Sequence, residues 1–395
     1  MDATVSLLHE LLREESKFMH AARWKSFWAT IDALLMGGQL WLTALGRARA
    51  GKGAAAKHAI KAVDRLLGNC ILFVERQNVY AALIRILLVR CPRPVLLVDT
   101  CEAQVGKFVL TASVAWDGRS CPIFSCVVPQ VKPKQRDLIR FLEQLARVLP
   151  YGCEPIIVAD AGFESGWFDA IEAMGWDYVG RIRNRARFLV DSRWVSLSTL
   201  QKRARSRPRS LQAFYPKTFP RKRRIVLSQR RKSSHRQHLT KRGVPYQRKD
   251  DKRYRKGAKE PWVLATSLKC NAAAVVNIYA TRMQIEENYK DAKNHRWGWS
   301  LRHSKSRSDS RLEILMLICT IASFVQQTVG CAAEQLKLHH KYQANTVRDR
   351  RVLSLFYLGG LVMHTLDLEL INKKVLRGVI ARVRAKIRSH AEAAT

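Results

Sequence analysis

The sequence predicts a mixed α/β core flanked by helical regions, and three observations carry that reading. Helical periodicity runs from the start to about residue 90. Short alternating or apolar runs interleaved with helical segments then fill the centre, and helical periodicity returns beyond Ser308. With 395 residues and 47% hydrophobic content the chain can bury a sizeable core, as one large domain or two to three smaller ones.

The amino-terminal part reads as helices around Ser6 to Glu15, Ser26 to Leu35 and Lys57 to Leu67, separated by glycine-containing breaks. In the third, Lys57, His58, Lys61 and Arg65 fall on one side and Ile60, Val63 and Leu67 on the other. Such a basic face suits either plain solvation or DNA contact.

The centre begins with "PVLLVDT" (94–100), an apolar run ending in an acid, followed by the alternating "KFVLTASVAW" (107–116), a "DGRS" turn and "CPIFSCVV" (121–128). A helix at about Lys134 to Leu149, the apolar run "PIIVAD" (155–160), a helix at about Ser165 to Met174 and a strand at about Asp177 to Arg183 complete the order β-β-β-α-β-α-β. Ligand sites in such sheets gather beyond the carboxyl ends of strands, where Asp99 and Asp160 are expected.

Between Gln201 and Lys256 the chain carries 22 Lys plus Arg against two acids, Asp250 and Asp251. This is either a disordered basic loop or an ordered DNA-binding insertion, since "RIVLSQR" has strand character. A strand follows in "KEPWVLATSL" (259–268), then a helix after Asn277, an apolar core helix near Leu312 to Gln327 and a basic amphipathic helix from about Asn372 to His390.

Composition narrows the partners. Seventy Lys plus Arg against 32 Asp plus Glu give a formal charge of +38, which calls for a polyanion. Nucleic acid leads. A membrane surface is the weaker expectation, because the most apolar stretch, Ile314 to Val325, is short and interrupted by Thr320 and Ser323. Nine scattered cysteines without CxxC or a spaced Cys/His set point to a reducing cytosol and no structural zinc. "GKGAAAKH" (51–58) lacks the GxxxxGK[ST] spacing, which excludes a phosphate-binding loop of that type.

The stretch "YATRMQIEENYKDAK" (279–293), taken as one helix, puts Tyr279, Arg282, Glu286 and Lys293 within a stripe about 60° wide at 100° per residue. Alone, the stripe favours an ordinary surface face with an Arg282–Glu286 pair. Asp99 and Asp160 change the weighting. Two-metal phosphoryl transfer needs a few hard carboxylate ligands that leave water positions open, and two strand-end aspartates plus one helical glutamate supply that set. Each aspartate taken singly is equally suited to capping or turn formation.

The spacing Tyr279, Arg282, Glu286, Lys293 fits the Y(2)R(3)E(6)K signature, and with "LLVDT", "IVADAGF" and "KEPWVLATSL" the chain resembles bacterial insertion-sequence transposases of the DDE class in the IS-four family. The resemblance is greatest to the transposon Ten branch and extends from "VDRLLGN" (63–69) to "YQANTVRDRRVLS" (342–354).

That resemblance implies a ribonuclease-H-like mixed-sheet core over about 91–330, with a basic β-rich insertion at about 184–270. It also implies a helical DNA-end-binding domain at 1–90 and a helical region at 331–395 suited to oligomerisation. Asp99, Asp160 and Glu286 would be the catalytic triad binding two Mg²⁺ ions, with Mn²⁺ as substitute. Tyr279, Arg282 and Lys293 would hold the DNA backbone near the cleaved end, and Trp262 would stack on a flipped base or else pack in the core. Lys57, Lys61 and Arg65 would help read the terminal inverted repeats. The implied activity is cut-and-paste transposition through nicking, hairpin formation and opening, and strand transfer. A homodimeric synaptic complex would act on transposon-end and target DNA at the bacterial nucleoid in the cytoplasm, away from any membrane. A catalytically inert DNA-binding derivative and a metal-dependent nuclease or resolvase are the alternatives. Trp297 and Trp299 read as anchors of the loop after the signature helix.

Overall fold

A computed structural model describes residues 3–50, 55–130, 133–229, 260–296, 298–344, 346–347 and 349–394. By internal packing the chain divides into two compact units, Met1–Pro155 with Thr281–Glu392, and Ile156–Ala280 with Ala393–Thr395.

The first unit opens with helices α1 (Ala3–Glu15), α2 (Ala21–Leu35), α3 (Leu42–Ala50), α4 (Ala56–Leu67) and α5 (Cys70–Leu87). Two of these escape a periodicity reading. In α3 a glycine sits in the helix because a Cβ at Gly46 would lie 2.4 Å from the Ile60 side chain. In α5 buried residues occur on most of the helix surface, including Arg76, Tyr80 and Leu83, so no apolar stripe stands out. Its start is set by Asn69, whose Oδ1 accepts from the Leu72 amide at 2.8 Å.

Strands β1 (Val95–Gln104), β2 (Lys107–Ala115) and β3 (Ser120–Val128) form an antiparallel run in the order β3-β2-β1. Here the sequence reading needs correction, because β1 does not end at Asp99. It continues through Thr100↔Leu110 and Glu102↔Phe108 to a tight turn at Gly106, leaving Asp99 in mid-strand opposite Thr111. The acid is accommodated because that position is only half-buried, whereas Val95 to Val98 are fully buried.

Helix α6 (Gln135–Val148) follows β3 and buries Leu138, Phe141, Leu142 and Leu145. After the second unit the chain returns as α10 (Met283–Lys293), α11 (Asp309–Gln335), the single turn α12 (His339–Tyr342), α13 (Leu355–Met363) and α14 (Lys373–Glu392).

Helix α11 is the spine of this unit and packs against β3, α2, α5 and α13. It runs beyond the predicted Leu312 to Gln327 at both ends, and Thr320, Ser323, Gln326, Gln327 and Thr328 are buried within it. Gln326 donates to the Phe356 carbonyl at 2.7 Å and Gln327 to that of Ser120 at 3.2 Å. Among the described residues α11 is long and apolar enough to cross a membrane, yet its most apolar window is wholly buried within the protein. Gly330 and Gly359 let α11 and α13 touch: a Cβ on either would come within 1.9 Å of the other helix's backbone. Glu313 inside this core pairs with Arg76 and accepts from the Val127 amide at 3.1 Å.

The second unit carries β4 (Ile156–Ala159), α7 (Ser165–Ala173), β5 (Asp177–Arg181), β6 (Arg187–Val190), β7 (Arg193–Ser196), α8 (Leu197–Arg203), β8 (Arg209–Tyr215), β9 (Arg221–Ser228), β10 (Trp262–Thr266) and α9 (Ala272–Ala280). Its strands lie in the order β4-β5-β10-β9-β8-β6-β7, with only β4 and β5 parallel. The strand foreseen in "RIVLSQR" is β9, starting a little earlier. The rest of the basic segment, residues 230–256, lies outside the described residues.

Arginine is structural in this unit. Arg223, 3% exposed, donates to the Tyr178 hydroxyl at 2.8 Å, pairs with Asp169 and Glu172, and lies beside the stacked Phe168 and Tyr178 rings. Gly180 is required under that stack, since its Cβ would meet the Phe168 ring at 2.2 Å.

Candidate active site

In the first unit, Asp99 on β1 and Glu286 on α10 converge on one guanidinium. Arg282 Nη2 donates to Glu286 Oε1 at 2.5 Å and Nη1 to Asp99 Oδ2 at 3.4 Å. The arginine side chain is 6% exposed, against 20% for Asp99 and 36% for Glu286. The cation is thus enclosed while both carboxylates keep access to solvent.

Local structure explains the convergence. The signature segment is not one continuous helix: α9 ends at Ala280, a two-residue turn of Thr281 and Arg282 follows, and α10 starts at Met283. Tyr279 therefore ends one helix, and the common stripe holds only for Arg282, Glu286 and Lys293. Glu286 lies in the first turn of α10, where the helix dipole favours an acid. One turn on, Tyr289 donates its hydroxyl to the Asp99 carbonyl at 2.9 Å and ties α10 to β1. Burial holds the Tyr289 phenol well above its usual range, so it remains a donor. Lys293 lies over the Tyr289 ring at 5.7 Å and beside the Cys101 thiol, which burial pushes up and Lys293 partly draws back.

In the second unit, Asp160 directly follows β4 as predicted, and its Oδ1 accepts from the Tyr279 hydroxyl at 2.9 Å. Trp262 packs edge-on against Tyr279, with ring centroids 4.8 Å apart. Although Trp262 is 6% exposed, it also lines an open cavity of about 290 Å³ with Ser206, Ser228, Gln229, Val276 and Asn277. A buried ring that also borders a cavity suits both core packing and stacking on a base.

Nearby in this unit, Arg181 and Arg183 both reach Glu260 Oε2, at 3.0 and 3.1 Å, while Gln201 donates to Oε1 at 2.8 Å. Burial lowers the Arg181 pKa, and the neighbouring Tyr279 and Asp160 act to raise it. Sequence reasoning passed over Arg181, Arg183, Glu260 and Tyr289. Tyr289 was within reach, three residues after Glu286 and on its helix face.

Lys57, Lys61 and Arg65 are exposed along α4, whose opposite face buries Ala59, Val63, Leu66 and Leu67. Asp64, on the exposed side, pairs with Arg311. Trp299 is buried against Phe356, 4.8 Å between ring centroids, as an anchor should be. Trp297 lies outside the described residues.

Among the described residues no group of three or more acidic, histidine or cysteine side chains is arranged to hold a metal ion. The donors do fit a hard divalent cation: two carboxylates already share a positive group and retain solvent access for bound waters.

Comparison with known proteins gives the family. The family described as transposase DDE domain matches residues 98–323, over half of the chain, and the protein belongs to it. It is accordingly an enzyme of DNA transposition whose partner is DNA, in a family that generally uses divalent metal ions. No curated protein matches the chain. Among solved structures it is similar to a piggyBac transposase synaptic complex with hairpin DNA, at 11% identity and a TM-score of 0.39 over 97% of this chain and 83% of that one.

Proposed function

We propose that this protein is a cut-and-paste transposase of the IS-four type, with a ribonuclease-H-like core in which Asp99, Asp160 and Glu286 form the catalytic carboxylate set. The observation that carries the reading is the convergence of Asp99 and Glu286 on Arg282, within a segment that matches the transposase DDE domain. Two Mg²⁺ ions held by the three carboxylates would activate the attacking water or 3′-hydroxyl and stabilise the departing oxygen.

The chain's own groups do the rest. Asp99 is held by the β1–β2 ladder and by the Tyr289 bond to its carbonyl, so its carboxylate is presented from a rigid strand. Tyr279 orients Asp160 through a neutral hydrogen bond, and Trp262 fixes the Tyr279 ring. Arg282 and Lys293 engage the phosphate backbone of the cleaved end, and the cavity edged by Trp262 receives an unstacked base. Nicking, hairpin formation, hairpin opening and strand transfer are each in-line phosphoryl transfers, so one carboxylate set serves all four. The α4 basic face with Lys57, Lys61 and Arg65 contacts terminal-repeat DNA, and two protomers synapse two ends.

The test uses a duplex carrying the element's own terminal repeat, incubated with wild type or Glu286→Ala and with Mg²⁺ or EDTA. Nicked, hairpin and strand-transfer products that need both Mg²⁺ and Glu286 are expected, with the variant at least about a thousandfold slower. Cleavage without joining would make the protein a nuclease. Binding without any product in Mg²⁺ or Mn²⁺ would make it an inert derivative.

A further inference from the structure

We propose that Arg282 is a built-in counter-cation: it holds Asp99 and Glu286 together and competes with the divalent ion for them until a DNA phosphate draws the guanidinium away. This rests on the reading of Asp99 and Glu286 as metal ligands.

Three features of the geometry lead here. First, the guanidinium occupies one oxygen of each carboxylate, Glu286 Oε1 at 2.5 Å and Asp99 Oδ2 at 3.4 Å, so cation and ion compete for the same two groups. Second, Arg282 stands at the N-cap of α10, where the helix dipole disfavours a positive group, and its side chain is nearly buried. Attraction to the two acids must therefore outweigh both costs. Both carboxylates keep access to solvent beside the enclosed guanidinium, so a cation can reach them.

Third, the residue can leave. It belongs to the two-residue turn between α9 and α10, so its side chain can swing without unwinding either helix. The bond to Asp99 is the longer, and release begins there. A phosphate matches the guanidinium fork as well as a carboxylate does, so the arrival of DNA offers Arg282 an equal partner and removes its competition for both acids. Metal loading is thereby coupled to DNA engagement, which keeps a DNA-cutting site from arming itself on the free protein.

The test measures Mn²⁺ binding to the DNA-free full chain by electron paramagnetic resonance, for wild type, Arg282→Gln, Arg282→Lys, Asp99→Asn and Glu286→Gln. Arg282→Gln is expected to bind Mn²⁺ about tenfold more tightly than wild type, the scale of one ordinary charge interaction. Arg282→Lys, with a cation that cannot fork between two acids, should fall between them. Both carboxylate variants should lose the site. If Arg282→Gln binds Mn²⁺ no better than wild type while the carboxylate variants still lose it, the counter-cation role is overturned and the ligand assignment stands. If the carboxylate variants bind as wild type does, the ligand assignment itself fails. Thermal melts accompany the series; should Arg282→Gln not fold, Arg282→Lys decides alone, with unchanged affinity overturning the proposal.

Discussion

Two ion-pair clusters, one in each unit, are built in opposite ways. In the first, one cation, Arg282, serves two acids, Asp99 and Glu286; in the second, one acid, Glu260, serves two cations, Arg181 and Arg183. The group that is shared is a buried arginine in the first cluster and a carboxylate in the second. The buried pair of Arg76 and Glu313 in the first unit is matched one to one. The difference teaches that the sign of the shared group sets what a cluster can exchange: under the proposed function the acids of the first take a divalent cation, and the arginines of the second suit a phosphate.

Breaking the matched pair should have the largest effect on stability. Glu313→Gln leaves Arg76 buried without a counter-charge and should cost about 3–5 kcal/mol in urea unfolding, with activity per folded molecule unchanged. A loss confined to activity would contradict the distinction between this matched pair and the shared clusters. Removing the neutral support of Asp160 should matter next. Tyr279→Phe deletes the 2.9 Å bond and should slow end cleavage by about 10–100-fold, leaving end-DNA affinity within about twofold. An equal fall in affinity would place Tyr279 on the DNA instead.

A smaller effect probes the positive cluster. Glu260→Gln removes the acid shared by Arg181 and Arg183 and should tighten DNA binding by about three- to tenfold, with a steeper dependence on salt. Unchanged affinity and slope would show that those arginines serve only the fold. The smallest effect concerns Asp32, whose carboxyl burial pushes up to about 6 from an ordinary 3.8. Its ionisation is harder in the folded chain, so the penalty is absent below pH 3.8, grows to pH 6 and is constant above. Asp32→Asn should therefore gain about 1 kcal/mol at pH 8, allowing for the partial exposure of the group, and nothing near pH 3.5. A gain independent of pH would remove the carboxylate as its cause.

Much of the core was legible because its elements carry clean periods. The alternation of "KFVLTASVAW", the apolar run before Asp160 and the amphipathic α6 each name their own structure. Helix α5 was not legible, being buried over most of its surface; β8 was hidden by a basic composition that reads as loop, and β6 and β7 are only four residues each, too short for a clear alternation. Asp99 was identified as an acid at a strand while the strand was ended too soon, since pairing with β2 overrides the local polarity of Thr100 and Glu102. The break at Thr281 and Arg282 has neither glycine nor proline to announce it. Nor could a single sequence show that Asp99 and Glu286, far apart along the chain, share one guanidinium, or that Glu260 closes on Arg181 and Arg183.

The most direct test of the carboxylate site replaces Mg²⁺ by Fe²⁺ on the DNA-bound protein and maps backbone cleavage by locally generated hydroxyl radicals. The account predicts cuts clustered near residues 99, 160 and 286, suppressed by excess Mg²⁺ and lost in Asp99→Asn. Cleavage that avoids any one of the three, or that survives Asp99→Asn unchanged, would contradict a shared metal site built from these acids.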